Sequence, residues 1–233
     1  MMPFEIRPDM LLFVPVILFS LTIHEFAHAW SAKIGGDMTS THLGRLTFNP
    51  LAHIDPVGTI LMPLITLFTG VPLIYWAKPV PVDHMRLRSG IWSVIVSLAG
   101  PVSNLVVVAV VAIALKIAFS LGGVNLMEQF IMAKRLDASN PLNVLLLLAW
   151  QFLFLNLLLA VFNMIPIPPL DGSWVVYHFV IRNNPALWRF WEGLSRFGFV
   201  VLLLLFYFPP FRMALHLMYM YPFEIILRWL VNA

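Results

Sequence analysis

From Pro141 to Met164 the chain runs for 24 residues without one charged side chain, and Ser89 to Phe119 contains only Lys116. In hydrocarbon, backbone must satisfy its own hydrogen bonds, which leaves helices or a closed barrel as spanning structures. Crossing a core of ~30 Å takes about 20 residues as a helix but only about 10 as a strand, so uninterrupted stretches of this length predict helices. Comparable apolar stretches cover about Leu11 to Ile34 and Leu187 to Phe208. Hydrophobic residues make up 61% of the chain and charged residues 11%, against roughly 45–50% and 25% in soluble domains. The expected fold is all-α and polytopic, with about four to six transmembrane helices.

Other segments are less regular. Val57–Trp76 has the length of a span, but Pro63, Gly70 and Pro72 break it, and a proline inside a helix removes a hydrogen bond and kinks it. Broken backbone at membrane depth needs protein or a water-filled cavity around it, so 57–76 is expected to be a covered segment. Short extended strips are expected near residues 39–50 and 77–83, the second fixed by Pro79 and Pro81. Gly122 to Asn140 reads as a loop, and Ser173–Arg182 as a short helix. The tail 211–230 carries Arg212, His216, Glu224 and Arg228 among Trp and Tyr, a pattern open to a last span or an interfacial helix, with the interface the favoured expectation. No internal repeat is seen, so residues 1–233 are expected to form one membrane-embedded unit with a core at 11–182 and C-terminal helices at 187–230. Residues 1–10 lack a basic run and no small-residue cleavage site follows, so the first helix is expected to be retained. A net charge of +3 is too small and dispersed to suggest nucleic acid. With no Cys in the chain, disulfides and thiolate metal sites are excluded.

Against this apolar background, His24-Glu25-Phe26-Ala27-His28 lies inside the first predicted helix. Residues four apart lie one turn apart on one face, so both imidazoles can reach one Zn²⁺ and Glu25 can reach a water beside it. Polar groups in a membrane helix are costly unless they pair or bind something. A catalytic zinc takes three protein ligands. Residue type alone leaves His42, His53, Asp55, Asp83, His84, Asp171 and His178 as candidates for the third. Asp171 is distinguished by its setting, Asn163-Met164-Ile165-Pro166-Ile167-Pro168-Pro169-Leu170-Asp171-Gly172, where prolines stop a helix and glycine leaves room beside the carboxylate.

Three motifs together, His24 to His28, Gly100-Pro101-Val102-Ser103-Asn104, and Asn163 to Gly172, resemble the site-2 protease family of intramembrane zinc metalloproteases. Leu43-Gly44-Arg45 through Pro56 and Ala77-Lys78-Pro79-Val80-Pro81-Val82 resemble its compact bacterial branch, and the likeness covers about residues 11–182. It implies that His24, His28 and Asp171 ligate one zinc ion and that Glu25 is the general base. It also implies a transmembrane-helix protein substrate and a multi-pass location in the cell membrane.

That ligand set constrains topology. His24 and His28 lie toward the end of the first helix and Asp171 just past the end of 141–164, so both helices must run in the same direction. Residues 57–76 are then expected to be re-entrant. A re-entrant segment also gathers Lys33, Arg45, Lys78, Arg86, Arg88, Arg182, Arg189 and Arg196 on one side, which the positive-inside rule makes the cytoplasm. Arg7, Lys116, Lys134 and Arg135 dissent. The active site is expected toward the cytoplasmic face.

For the developing oxyanion, Asn163 is the first candidate donor and Asn104 the second. The strip formed by Lys78, Pro79, Val80, Pro81 and Val82 is expected to hold an unwound substrate by strand addition. His53 is a candidate accessory group, and Pro63 and Pro72 candidate gate positions. Two competing readings are a metal-binding transporter or scaffold, which gives Glu25 no role as a base, and an inactive relative, against which the complete ligand set argues.

Overall fold

The computed structural model describes residues 8–62, 64, 65, 76–132, 137 and 139–231. Its elements are α1 (Pro8–Gly35), α2 (Thr39–His42), α3 (Gly90–Met132), α4 (Pro141–Asn163), α5 (Gly172–Val176), α6 (Pro185–Tyr207) and α7 (Pro209–Val231). Strand is absent among the described residues. Four helical stretches are long and apolar enough to cross a membrane: Leu12–Gly35, Gly90–Gly122, Pro141–Asn163 and Pro185–Tyr207. The protein is an all-α polytopic membrane protein.

Local chemistry sets the helix ends. Asn140 and Asn184 each precede a proline, and each side chain caps its helix by accepting from the next two backbone N–H groups, Leu142 and Asn143 in one case and Ala186 and Leu187 in the other. Proline at the first helical position gives up an N–H that would have no partner there. Gly36, at φ +106°, ends α1. The Asp37 N–H turns back to the Ala32 carbonyl at 2.9 Å, the closure that a left-handed glycine permits after a helix.

The helix directions follow from the pairing. Ser20 of α1 meets Asn156 of α4, while His24 meets Asn104 and His28 meets Val96 of α3. Phe13, Val16 and Ile17 pack with Leu148, Phe152 and Leu155. Thus α1 and α4 run parallel and α3 runs against both, as the shared ligand set requires. A core of Val108, Phe119, Leu146, Leu153, Phe223 and Leu230 joins α3, α4 and α7.

The structure corrects three expectations. The 39–50 segment holds a helical turn at α2 and a tight 3-10 turn at Pro50–His53 rather than an extended strip; the Asn49 side chain caps the latter by accepting from Leu51 N–H. Helix α3 continues past Gly122 to Met132 because Phe130, 3% exposed, packs back onto Phe119. The tail lies along α4 rather than across its end. Leu215 packs with Ile165, Tyr219 on Phe154, and Phe223 on Trp150.

Most of 57–76, including Pro63 and Pro72, lies outside the described residues. Its two ends, however, meet. Trp76 N–H donates to Gly58 C=O at 3.4 Å and Thr59 Oγ1 donates to Trp76 C=O at 2.8 Å. A continuous helix between these positions would hold its ends about 25 Å apart. The segment therefore leaves and returns at one level, in keeping with re-entry.

Candidate metal centre

His24 and His28, one turn apart on α1, bring their Nε2 atoms to 3.0 Å. Asp171 Oδ2 lies 3.2 Å from the first and 3.4 Å from the second. Asp171 reaches them because the chain folds back on itself after α4. Gly172 touches the Met164 backbone so closely that a Cβ there would overlap it. Asp171 occupies the N-cap position of α5 yet makes no capping bond, and its Oδ2 is buried without a hydrogen-bond partner.

These three atoms fit a zinc ion. Tetrahedral coordination at bonds of about 2.0–2.1 Å places ligand atoms about 3.3 Å apart, close to all three observed separations. Two imidazole nitrogens and one carboxylate oxygen are also a normal catalytic donor set for zinc. Both Nδ1 atoms are engaged elsewhere: that of His24 with Asn104 Oδ1 at 2.6 Å and that of His28 with the Val96 carbonyl at 2.7 Å. Each acceptor calls for an N–H at Nδ1, which leaves the Nε2 lone pairs facing the shared point. Gly100 of α3 makes room for them. A Cβ there would overlap His28 Nε2 and lie 2.5 Å from His24 Cε1.

Glu25, 9% exposed, accepts a 2.7 Å hydrogen bond at Oε2 from the backbone N–H of Val80. The strip carrying Val80 is pinned on the same side by Lys78 N–H to His53 C=O at 2.9 Å and by Arg45 Nη2 to Lys78 C=O at 2.6 Å. Beyond it, the Asp37 carboxylate accepts from Asp83 N–H at 2.8 Å, tying the strip to the end of α1.

A cavity of about 590 Å³ opens beside this cluster, lined by His24, Glu25, His28 and Asp171 together with Asn163. Of the predicted strip, Pro79, Val80 and Val82 line it, whereas Lys78 and Pro81 do not. Asn163 also donates one Nδ2 hydrogen to Leu159 C=O at 3.0 Å, leaving the second for the cavity. Asn104 is not in a position to serve as an oxyanion donor: it is fully buried behind His24, on the side away from Asp171. His53 is also outside the cavity lining. Its buried ring bonds the Thr47 carbonyl and its own carbonyl anchors Lys78.

Sequence reasoning missed Trp76, Trp174 and Phe199 on the cavity wall, and it named His84, which also lines the cavity, only as a candidate ligand. His84 stacks on Trp174 at 3.8 Å between ring centroids. The proximity of Trp174 to Asp171 in the chain was the one available hint.

The sequence model described as peptidase family M50 matches residues 12–205. YwhC of Bacillus subtilis, named as a zinc metalloprotease, is 34% identical over 208 residues, covering 89% of this chain and 84% of that one. Rip2 of Mycolicibacterium smegmatis, named likewise, is 31% identical over 220 residues, covering 93% and 75%. Rip2 of Mycobacterium tuberculosis is 29% identical over 201 residues, covering 84% and 68%. No solved structure matches the chain.

Proposed function

Because the chain belongs to peptidase family M50, the site-2 proteases, and is a zinc metalloprotease of a membrane, we propose that it hydrolyses peptide bonds in or near transmembrane segments of protein substrates. His24, His28 and Asp171 hold the ion, and Glu25 is the general base. The observation that carries this reading is the triangle of Nε2, Nε2 and Oδ2 with sides of 3.0, 3.2 and 3.4 Å, with the Glu25 carboxylate lining the same cavity.

A zinc ion, when bound there, supplies Lewis acidity to water and to the scissile carbonyl. The protein's own groups do the rest. With Oε2 of Glu25 held by Val80, Oε1 is the oxygen left to take a proton from the attacking water and return it to the leaving amine. Asn163 faces the cavity with one amide hydrogen uncommitted and is placed to donate to the developing oxyanion.

The 77–82 strip would hold the unwound substrate. Trp76, Lys78 and Val80 spend backbone groups on the inner side, with Gly58, His53, Arg45 and Glu25. Alternate residues of an extended strip face the other way. There, Pro79 and Pro81 have no N–H and the Pro79 carbonyl already takes a long bond from Arg45 Nη2 at 3.4 Å, so a substrate strand would bind by donating its own N–H groups to the carbonyls that remain on that edge. The residues form one membrane-embedded protease unit, oriented in the cell membrane with the site toward the cytoplasm, as the charge distribution favours.

The test is to purify the protein in detergent, strip and restore zinc, and assay cleavage of a model transmembrane substrate. Cleavage that follows the metal supports the reading. Zinc-independent cleavage would sink it, and zinc binding with no cleavage of any membrane segment would replace it with metal binding alone.

A further inference from the structure

Behind the metal centre lies a line of amides that the mechanism does not use. Asn104 of α3 and Asn156 of α4 are both fully buried, as is Ser20 of α1. Asn156 Nδ2 donates to the Phe152 carbonyl at 2.9 Å and to Ser20 Oγ at 2.9 Å. Asn104 Nδ2 donates to Asn156 Oδ1 at 2.8 Å. Asn104 Oδ1 then meets His24 Nδ1 at 2.6 Å.

This line has a direction, and one atom sets it. An amide can be turned end for end, and a hydroxyl can donate or accept, so neither Ser20 nor the amides fix the polarity alone. The Phe152 carbonyl can only accept. It requires the Asn156 NH₂, which turns Asn156 Oδ1 toward Asn104. That oxygen requires the Asn104 NH₂, which turns Asn104 Oδ1 toward His24. His24 must then carry its proton on Nδ1, leaving a lone pair on Nε2. The opposite orientation would put an N–H against His24 Nδ1 and a proton on Nε2, where it would block a metal. His28 needs no such relay, because its Nδ1 meets the Val96 backbone carbonyl directly.

We propose that Asn156 is a positioning residue for the metal centre: it relays the polarity of the Phe152 carbonyl through Asn104 and so selects the metal-binding tautomer of His24. The proposal rests on the reading of His24 as a ligand. A residue on a different helix, 136 positions from Ser20, thereby governs how strongly the site binds its ion. Outer groups of this kind typically change metal affinity by about 10–100-fold.

The test uses the full chain in detergent with ¹⁵N-labelled histidine. In the metal-free wild type, His24 is expected as the Nδ1–H tautomer; finding Nε2–H there overturns the proposal without any variant. Asn156→Leu removes the relay and is expected to give mixed His24 tautomers and a zinc affinity, by chelator competition, lower by about 10–100-fold. Asn156→Asp is expected to restore both: burial favours the neutral acid, whose O–H donates to Phe152 and whose C=O accepts from Asn104. Ser20→Ala is expected to change neither, since the Phe152 carbonyl still sets the direction. Unchanged tautomer and affinity in Asn156→Leu, or an Asn156→Asp as impaired as Asn156→Leu, would refute the relay. If zinc is held elsewhere, removing the Asp171 carboxylate leaves affinity intact while the apo tautomer still reports on the relay, so the two failures are separable.

Discussion

The backbone N–H of Val80 donates a 2.7 Å hydrogen bond to Glu25 Oε2. This single contact joins the proposed general base to the strip expected to carry the substrate. The Glu25 carboxylate is therefore oriented by the segment proposed to hold the substrate, and whatever holds that segment also holds Glu25.

Arg45 is one side chain that holds it, through Nη2 to the Lys78 carbonyl at 2.6 Å. Arg45→Ala is expected to lower the cleavage rate by roughly tenfold to a hundredfold, the size of a lost hydrogen bond to a charged group at about 1.5–3 kcal/mol. Zinc content, by metal analysis of the same preparation, should stay at the wild-type level.

Gly100 gives a prediction at the metal itself. A Cβ at this position would fall between the two imidazoles, 2.6 Å from His24 Nε2. Gly100→Ala is expected to abolish stoichiometric zinc binding while the purified chain retains its helical circular dichroism. Alanine favours a helix more than glycine does, so lost metal would not reflect lost helix.

At Asn163, truncation is expected to act on chemistry rather than on metal. Asn163→Ala should lower kcat by about 10²–10³, the usual cost of one oxyanion donor, with little change in KM and with zinc retained. A change confined to KM would reassign Asn163 to substrate binding.

Asp37 supplies a pH dependence at the junction of α1 and the strip. Its burial would raise the carboxyl, but the Thr39 hydroxyl and N–H, the Asp83 N–H and Arg86 outweigh this and hold it below the ordinary value. The unfolded chain then takes up the proton first as pH falls. The stabilisation is complete above the ordinary carboxylate value of ~3.9 and is lost as pH drops through the lower folded value. Thermal melts in detergent should show this acid-side loss, and Asp37→Asn should flatten it.

The apolar helices and the His24, His28, Asp171 set were legible because each leaves a local signature: uninterrupted hydrophobicity, helical spacing, and a proline run ending in Asp-Gly. Even the shared direction of α1 and α4 follows from requiring the ligands to meet. What was not legible depended on tertiary partners. Arg212, Glu224 and Arg228 suggested an interfacial tail, but Glu224 and Arg228 approach each other at 3.6 Å on the exposed side while Phe223 and Leu230 are buried in the core. Gly122-Gly123 suggested a helix end, and Phe130 packing overrode it. Asn104 was recognisable as a site residue, but only the structure shows that it faces the far nitrogen of His24. His84 gave no local signal of its place on the cavity wall.

The most direct measurement compares wild type with Glu25→Gln in one assay, recording zinc per chain and cleavage of a model transmembrane substrate. With His24, His28 and Asp171 holding the ion and Glu25 moving the proton, Glu25→Gln should bind zinc at the wild-type level and cleave nothing detectable. Cleavage that survives in Glu25→Gln would contradict the assignment of Glu25 as the base.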